Sequence, residues 1–206
     1  MSRNNVTTRD QILDAAASLI RNIGLGHTTT KEIASAAGLS EAALYRHFSD
    51  KAELFLCVIG ERLPELVAAL HDLPGRAGKR SVRANLEDIV RLALPFYDQT
   101  LPIAASLFAE PDLLARHQAK MRSKNVGPHR SFEQLAAYVR AEQRLGRVSS
   151  RADADAVASL LLGSCLGRSL MRRFLGEQDL PAADERFVKS VVRTLIEGVA
   201  ARDSLA

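Results

Sequence analysis

Apolar positions recur along this chain every three or four residues, the period that places them on one face of an α-helix. Alternating strand patterns bounded by turn residues are absent, so the expected fold is all-α, with about nine helices. Thr8-Arg9-Asp10-Gln11 is a capping-box pattern, followed by a stripe of Ile12, Ala15, Ala16, Leu19, Ile20 and Ile23 that stops at Gly24 and Gly26. Thr29-Thr30-Lys31-Glu32 is a second capping box. It opens a helix of about two turns through Ile33, Ala34 and Ala37, ending at Gly38, a residue suited to a left-handed C-cap. Ser40 can cap a third short helix, Glu41 to Phe48, whose inward positions are Leu44 and Phe48. Asp50 with Glu53 starts a longer fourth helix that runs to about residue 71.

Leu73-Pro74-Gly75-Arg76-Ala77-Gly78 then reads as a turn-rich linker. Longer helices are expected at about 81–99, 101–124, 129–145, 153–175 and 182–201. Pro64, Pro95 and Pro111 fall inside or at the seams of these patterns, where a missing backbone donor bends or breaks a helix. The expected organisation is a three-helix N-terminal domain, residues 1–55, followed by a larger helical domain, 56–206.

Composition narrows the function classes. With 206 residues and 47% hydrophobic content, the chain can bury a sizeable core. No uninterrupted apolar run approaches the roughly 20 residues of a bilayer span. The start, Met1-Ser2-Arg3-Asn4-Asn5, lacks an apolar signal region, so a cytoplasmic protein with no membrane partner is expected. Cys57 and Cys165 stand far apart and outside any Cys/His cluster, which argues against a disulfide framework or a metal site and leaves both as small core residues. No metal and no cofactor are expected. The net charge of +4 permits an acidic partner, yet residues 1–60 carry six Lys/Arg against six Asp/Glu. Any nucleic-acid reading by that segment rests on geometry. The densest basic stretch, Arg116 to Arg151, has nine Lys/Arg against Glu133 and Glu142 and reads as solvated helix faces.

Three capped helices joined through Ala37-Gly38-Leu39-Ser40 fit a helix-turn-helix, in which the first turn of the third helix enters a DNA major groove; a plain three-helix bundle is the alternative. The ordered set Thr29-Thr30-Lys31-Glu32-Ile33-Ala34, Ala37-Gly38-Leu39-Ser40, Leu44-Tyr45-Arg46-His47-Phe48 and Lys51-Ala52-Glu53-Leu54 resembles the tetracycline-repressor (TetR) family over about residues 8–55. The resemblance implies a DNA interface made of Thr29, Thr30, Lys31, Ser40, Glu41, Ala42, Ala43, Tyr45, Arg46, His47 and Lys51. Thr30 and Lys31 match positions that contact the DNA backbone or a nearby base edge, and Tyr45, His47 and Lys51 match phosphate-contacting positions, which set register. Glu41, Ala42, Ala43 and Arg46 match base-reading positions: Arg46 suits guanine, Glu41 suits cytosine, and the alanine methyls suit thymine. The family often has Gly or Pro where Ala42 stands and Thr or Ser where Ala43 stands, so its operators do not transfer. Packing of Tyr45 on the first helix, a solvent-facing His47 and an intrahelical pair for Arg46 are the competing roles.

A single helix-turn-helix covers few base pairs, so specific binding calls for two units roughly 34 Å apart, and thus a homodimer on a double-stranded DNA operator. Ser159, Gly163 and Gly167 line one helix face, and with Phe187, Val191, Leu195 and Val199 they form either a two-fold interface or close packing within one subunit. The resemblance favours the interface, since the family dimerises through its last two long helices. It also implies a repressor released from a palindromic operator by a small-molecule effector in the C-terminal domain. Phe96, Tyr97, Leu101, Phe108, His117, Met121, Phe132 and Tyr138 are the candidate lining, with His129 a further polar group and plain core packing the competing role for each. Two rival classes remain. Gly163-Ser164-Cys165-Leu166-Gly167 has the spacing of a nucleophile elbow, but its flanks are helical and no His follows Cys165. A helical scaffold without DNA binding has only the neutral N-terminal segment in its favour.

Overall fold

The structure is a computed structural model that describes residues 7–23, 28–62, 65–109, 111–176 and 181–199. Those residues form ten α-helices and no strand: α1 Thr8–Ile23, α2 Thr30–Ala36, α3 Glu41–Leu44, α4 Lys51–Arg62, α5 Glu65–Asp72, α6 Val82–Phe108, α7 Pro111–Lys124, α8 Pro128–Arg144, α9 Ala154–Leu175 and α10 Pro181–Glu197. The chain divides into two compact units, Met1–Pro64 with Gln99–Asn125, and Glu65–Asp98 with Val126–Ala206. The expected boundary at residue 55 therefore falls within α4, and α7 counts with the N-terminal helices, where Arg116 lies 3.8 Å from Asp50 at the start of α4.

Local chemistry sets the helix ends. The first capping box lies one residue earlier than expected: Thr7 Oγ1 accepts from the Asp10 N–H (3.1 Å), and the Asp10 carboxylate accepts from the Thr7 N–H (3.3 Å). The second is where the sequence places it. Thr29 Oγ1 accepts from the Glu32 N–H (3.2 Å), Glu32 accepts from the Thr29 N–H (2.8 Å), and Gly38 closes the turn at φ +70°. Ser40 caps α3 through the Ala43 N–H, but α3 is shorter than expected. After Leu44 the bonds tighten, Arg46 N–H to Ala43 O and His47 N–H to Leu44 O. Phe48 still turns inward and is buried.

Three further expectations are corrected. The patterns at 81–99 and 101–124 are not separated at residue 100; α6 runs through Pro95 and Pro102 to Phe108, and the next helix starts at Pro111, where a proline at the first helical position costs nothing. Pro102 has no N–H for the Asp98 carbonyl four residues back, and the Arg173 guanidinium donates to that carbonyl instead. The stretch after Asp72 is a 3-10 turn, Leu73–Arg76, anchored by buried Leu73, not a free linker. The last helix ends at Glu197, where Gly198 takes φ +78°, so Val199 lies outside it and is 91% exposed. Pro64, Gly24 and Gly26 lie outside the described residues.

The N-terminal unit buries Ile12, Leu13, Ala16, Ala17 and Ile20 of α1 against Ile33 and Ala34, Leu44 and Phe48, and Leu54, Phe55 and Val58 of α4. This face of α1 is rotated from the expected stripe, for Ala15 and Leu19 are partly buried and Ile23 is exposed. The other unit has its own core, built on α8 packed against α9 with α5, α6 and α10 around them. In its interior Asn85 Nδ2 donates to the Tyr138 hydroxyl at 2.9 Å, and the buried Glu142 carboxylate takes the Arg147 guanidinium at 3.4 Å and the Gly78 N–H at 3.3 Å. By length and composition α9 passes for a bilayer span, yet it carries Asp155, Arg168, Arg172 and Arg173 and lays Ala158, Leu161, Leu162 and Cys165 into this core.

Candidate nucleic-acid interface

The elements of the candidate head are α2, the Ala37–Ser40 connection, α3 and the start of α4. Small, buried Ala34 lets α2 and α3 cross closely, and buried Leu44 and Phe48 lock α3 down by its inner side. The outward side is then fixed. Lys31, Ser40, Glu41, Ala42, Tyr45, Arg46, His47 and Lys51 are exposed, and Ala43 is half-buried. Of the two capping residues, Thr29 is exposed but committed to Glu32, whereas Thr30 is buried. The Thr30 hydroxyl donates to Glu41 Oε1 at 2.6 Å, and the Tyr45 hydroxyl donates to Thr30 Oγ1 at 3.3 Å. Tyr45 thus points across α3 toward α2, with 44% of its surface open. At the start of α4, Glu53 turns back to accept from the Ser49 N–H and hydroxyl, both at 2.8 Å, while the Lys51 ammonium sits 5.2 Å from the Phe55 ring centroid.

The head is tied to the far end of α4. Arg9 on α1 forks onto Glu61 with bonds of 2.8 and 2.7 Å, and its guanidinium lies 5.4 Å from the Phe48 ring. The Glu61 bond holds the Arg9 pKa above its ordinary value. No sequence signal marked this pair, because its members are 52 residues apart.

The expected interface residues divide by location. Ser159 and Gly163 are exposed, Gly167 is half-buried, and a Cβ added at either glycine meets nothing within 4 Å outside its own helix. Close packing inside the subunit therefore does not account for these glycines. The same helix exposes Leu160, Leu166, Leu170, Met171, Phe174 and Leu175, apolar neighbours that the spacing argument passed over. Phe187, Val191 and Leu195 are partly buried against their own subunit's core, with Arg168 4.8 Å from the Phe187 ring.

The eight candidate effector-lining residues fall in two groups. Phe96, Tyr97 and Phe132 pack against the second unit's core, and Tyr138 is inside it; Phe96 and Tyr97 meet edge-on at 5.5 Å. Burial pushes the Tyr97 hydroxyl up to about 12, and burial does the same for Tyr138 against the opposing Asn85 bond. Leu101, His117 and Met121, half-buried, and Phe108, exposed, belong to the N-terminal unit; His129 is exposed on α8. A group absent from the sequence reading includes Asp98, which follows Tyr97 in sequence: Arg172, only 6% exposed, spans Asp98 (3.4 Å) and Asp184 (3.2 Å), with Arg168 also on Asp184 at 2.9 Å. Its register was legible, since Cys165, Ser169 and Arg172 share the buried face of α9. Cys165 lies mid-helix with its thiol donating to the Leu161 carbonyl at 3.2 Å, and burial pushes its pKa up to about 12, the opposite of a nucleophile's environment.

Residues 12–58 match the bacterial regulatory proteins of the tetR family, and residues 114–198 match the C-terminal domain of AefR-like transcriptional repressors. The chain is 31% identical to the HTH-type transcriptional regulator BetI of Cronobacter sakazakii over 165 residues, covering 79% of each chain. It is 34% identical over 122 residues to the nucleoid occlusion factor SlmA of a Marinomonas species, spanning 60% of that protein's length and 59% of its own. The fold is similar to a TetR-family transcriptional regulator from Mesorhizobium loti, with a TM-score of 0.70 at 20% identity over 95% of this chain and 98% of that one.

Proposed function

Because the chain belongs to the tetR family of bacterial regulatory proteins, and is thus a DNA-binding transcriptional regulator and not an enzyme, we propose that it is a homodimeric repressor released from a palindromic operator by a small, mainly apolar effector. The observation that carries the DNA part is the outward face of α2, α3 and the start of α4. Lys31, Tyr45, His47 and Lys51 are exposed on these elements, as is Ala42 at the first turn of α3, where a small side chain admits the backbone into a major groove. Lys31, His47 and Lys51 supply phosphate donors, and Arg46 and Glu41 supply base-edge chemistry. Support for the dimer comes from Gly163 and Gly167, which leave room for a second helix on a face where Leu160, Leu170 and Met171 are exposed. Phe96, Tyr97 and Phe132 are the aromatic surface on which an apolar effector would act. On this reading the site of action is the cytoplasm, on the nucleoid when DNA is bound.

The test is fluorescence anisotropy of the purified protein on duplex DNA from upstream of its own gene, at several salt concentrations, with random duplex as control. A specific regulator prefers the first by about a thousandfold or more. Equal and weak binding to DNA from this region and from the neighbouring promoters overturns the repressor assignment.

A further inference from the structure

Thr30, Glu41 and Tyr45 form a hydrogen-bond chain that a backbone-contacting role for Thr30 does not use. A hydroxyl has one proton, and Thr30 spends its proton on Glu41 Oε1 at 2.6 Å. What remains on Thr30 Oγ1 is acceptor capacity, which the Tyr45 hydroxyl addresses and a phosphate cannot use. Thr30 is moreover 8% exposed, whereas Glu41 stands open at the first turn of α3.

We propose that Thr30 is a positioning residue that aims the Glu41 carboxylate at a base edge and thereby sets base preference. Ionised Glu41 is an acceptor only. With Oε1 held, the second oxygen accepts from an exocyclic amino group in the major groove, cytosine N4 foremost, and meets the carbonyl oxygens of guanine and thymine with repulsion. A carboxylate fixed before binding loses less rotamer freedom in the complex. This proposal rests on the helix-turn-helix being the DNA-reading element.

The experiment is selection from a randomised duplex library with the full chain and with Thr30→Val, Thr30→Ser and Glu41→Gln, paired with anisotropy on random duplex at several salt concentrations. The wild type selects an amino-bearing base at one position of each half-site by about tenfold or more. Thr30→Val flattens that one position and leaves the others and the salt slope unchanged; Glu41→Gln changes the base chosen at that position, an amide favouring adenine, and leaves the other positions unchanged; Thr30→Ser retains the wild-type preference. Valine matches threonine in shape, and circular dichroism confirms that the helices persist. Glu41 is exposed, so its variant carries the same test free of any folding defect. A Thr30→Val protein that loses affinity equally on every sequence, or a Glu41→Gln protein with an unchanged motif, overturns the positioning role. A wild type that enriches no motif overturns the DNA-reading assignment itself, a separate and recognisable result.

Discussion

Lys51→Ala isolates the electrostatic part of DNA binding without knowledge of the operator. Lys51 is exposed at the first position of α4, where the helix N-terminus adds partial positive charge and the adjoining Glu53 carboxylate is folded back onto Ser49. Residues 1–60 carry no net charge, so each cation that reaches a phosphate bears a large share of the field felt by DNA. Each Lys–phosphate contact contributes about 0.9 to the slope of log affinity against log salt, about 1.8 for both subunits of a dimer; raising salt from about 50 to 200 mM then costs the wild type about 12-fold more affinity than the variant. Tyr45→Phe is the control. Its phenol is neutral and gives its proton to Thr30 Oγ1, so its loss removes no charge from the interface and leaves the salt slope alone. Fluorescence anisotropy on random duplex across that salt range measures both. A Lys51→Ala slope equal to the wild type's removes Lys51 from the interface, and a reduced slope in Tyr45→Phe refutes the separation of charge from neutral contact.

Gly163→Leu discriminates between the two uses of the small-residue face: with open space at its Cβ it raises helix propensity by up to about 1 kcal/mol in an isolated subunit, but it splits a dimer packed across that face. Sedimentation at fixed concentration reads the outcome, and an unaltered dimer mass disposes of the interface. In a Cys57→Ser background, Cys165 should react with a disulfide reagent at pH 8 on the order of a thousandfold more slowly than an ordinary exposed thiol, because a pKa raised to about 12 leaves little thiolate below it. Labelling at an ordinary rate contradicts the buried environment of the α9 interior. Leu44→Ala removes a fully buried side chain from the small N-terminal core and should cost about 2–5 kcal/mol in thermal unfolding. A loss under about 1 kcal/mol would mean that α3 is not anchored through that residue.

The N-terminal helices were legible because their information is local. Capping boxes, glycine C-caps and one apolar face per helix act within a few residues, so α2, its Gly38 stop and the Ser40 cap fall where the pattern puts them, and the first cap misses by one residue because Thr7 and Thr8 offer the same hydroxyl. The order of small motifs from Thr29 to Leu54 was enough for the family. What depended on distant residues was not legible. The patterns on either side of residue 100 looked like two helices, whereas α6 continues through Pro102 to Phe108, with the Arg173 guanidinium, far along the chain, donating to the Asp98 carbonyl. Thr30 read as a phosphate donor by type and position; only the crossing of α2 and α3 brings Glu41 within 2.6 Å and gives its proton another destination. Arg9 with Glu61, and Arg172 with Asp98 and Asp184, likewise exist only once the chain has folded. Sequence determines which backbone is helical and which residues carry charge or hydroxyls, because those properties belong to single residues and their near neighbours. Tertiary structure decides which hydroxyl is free, which charge is paired and which glycine faces open space, because each is a relation between surfaces that packing alone brings together.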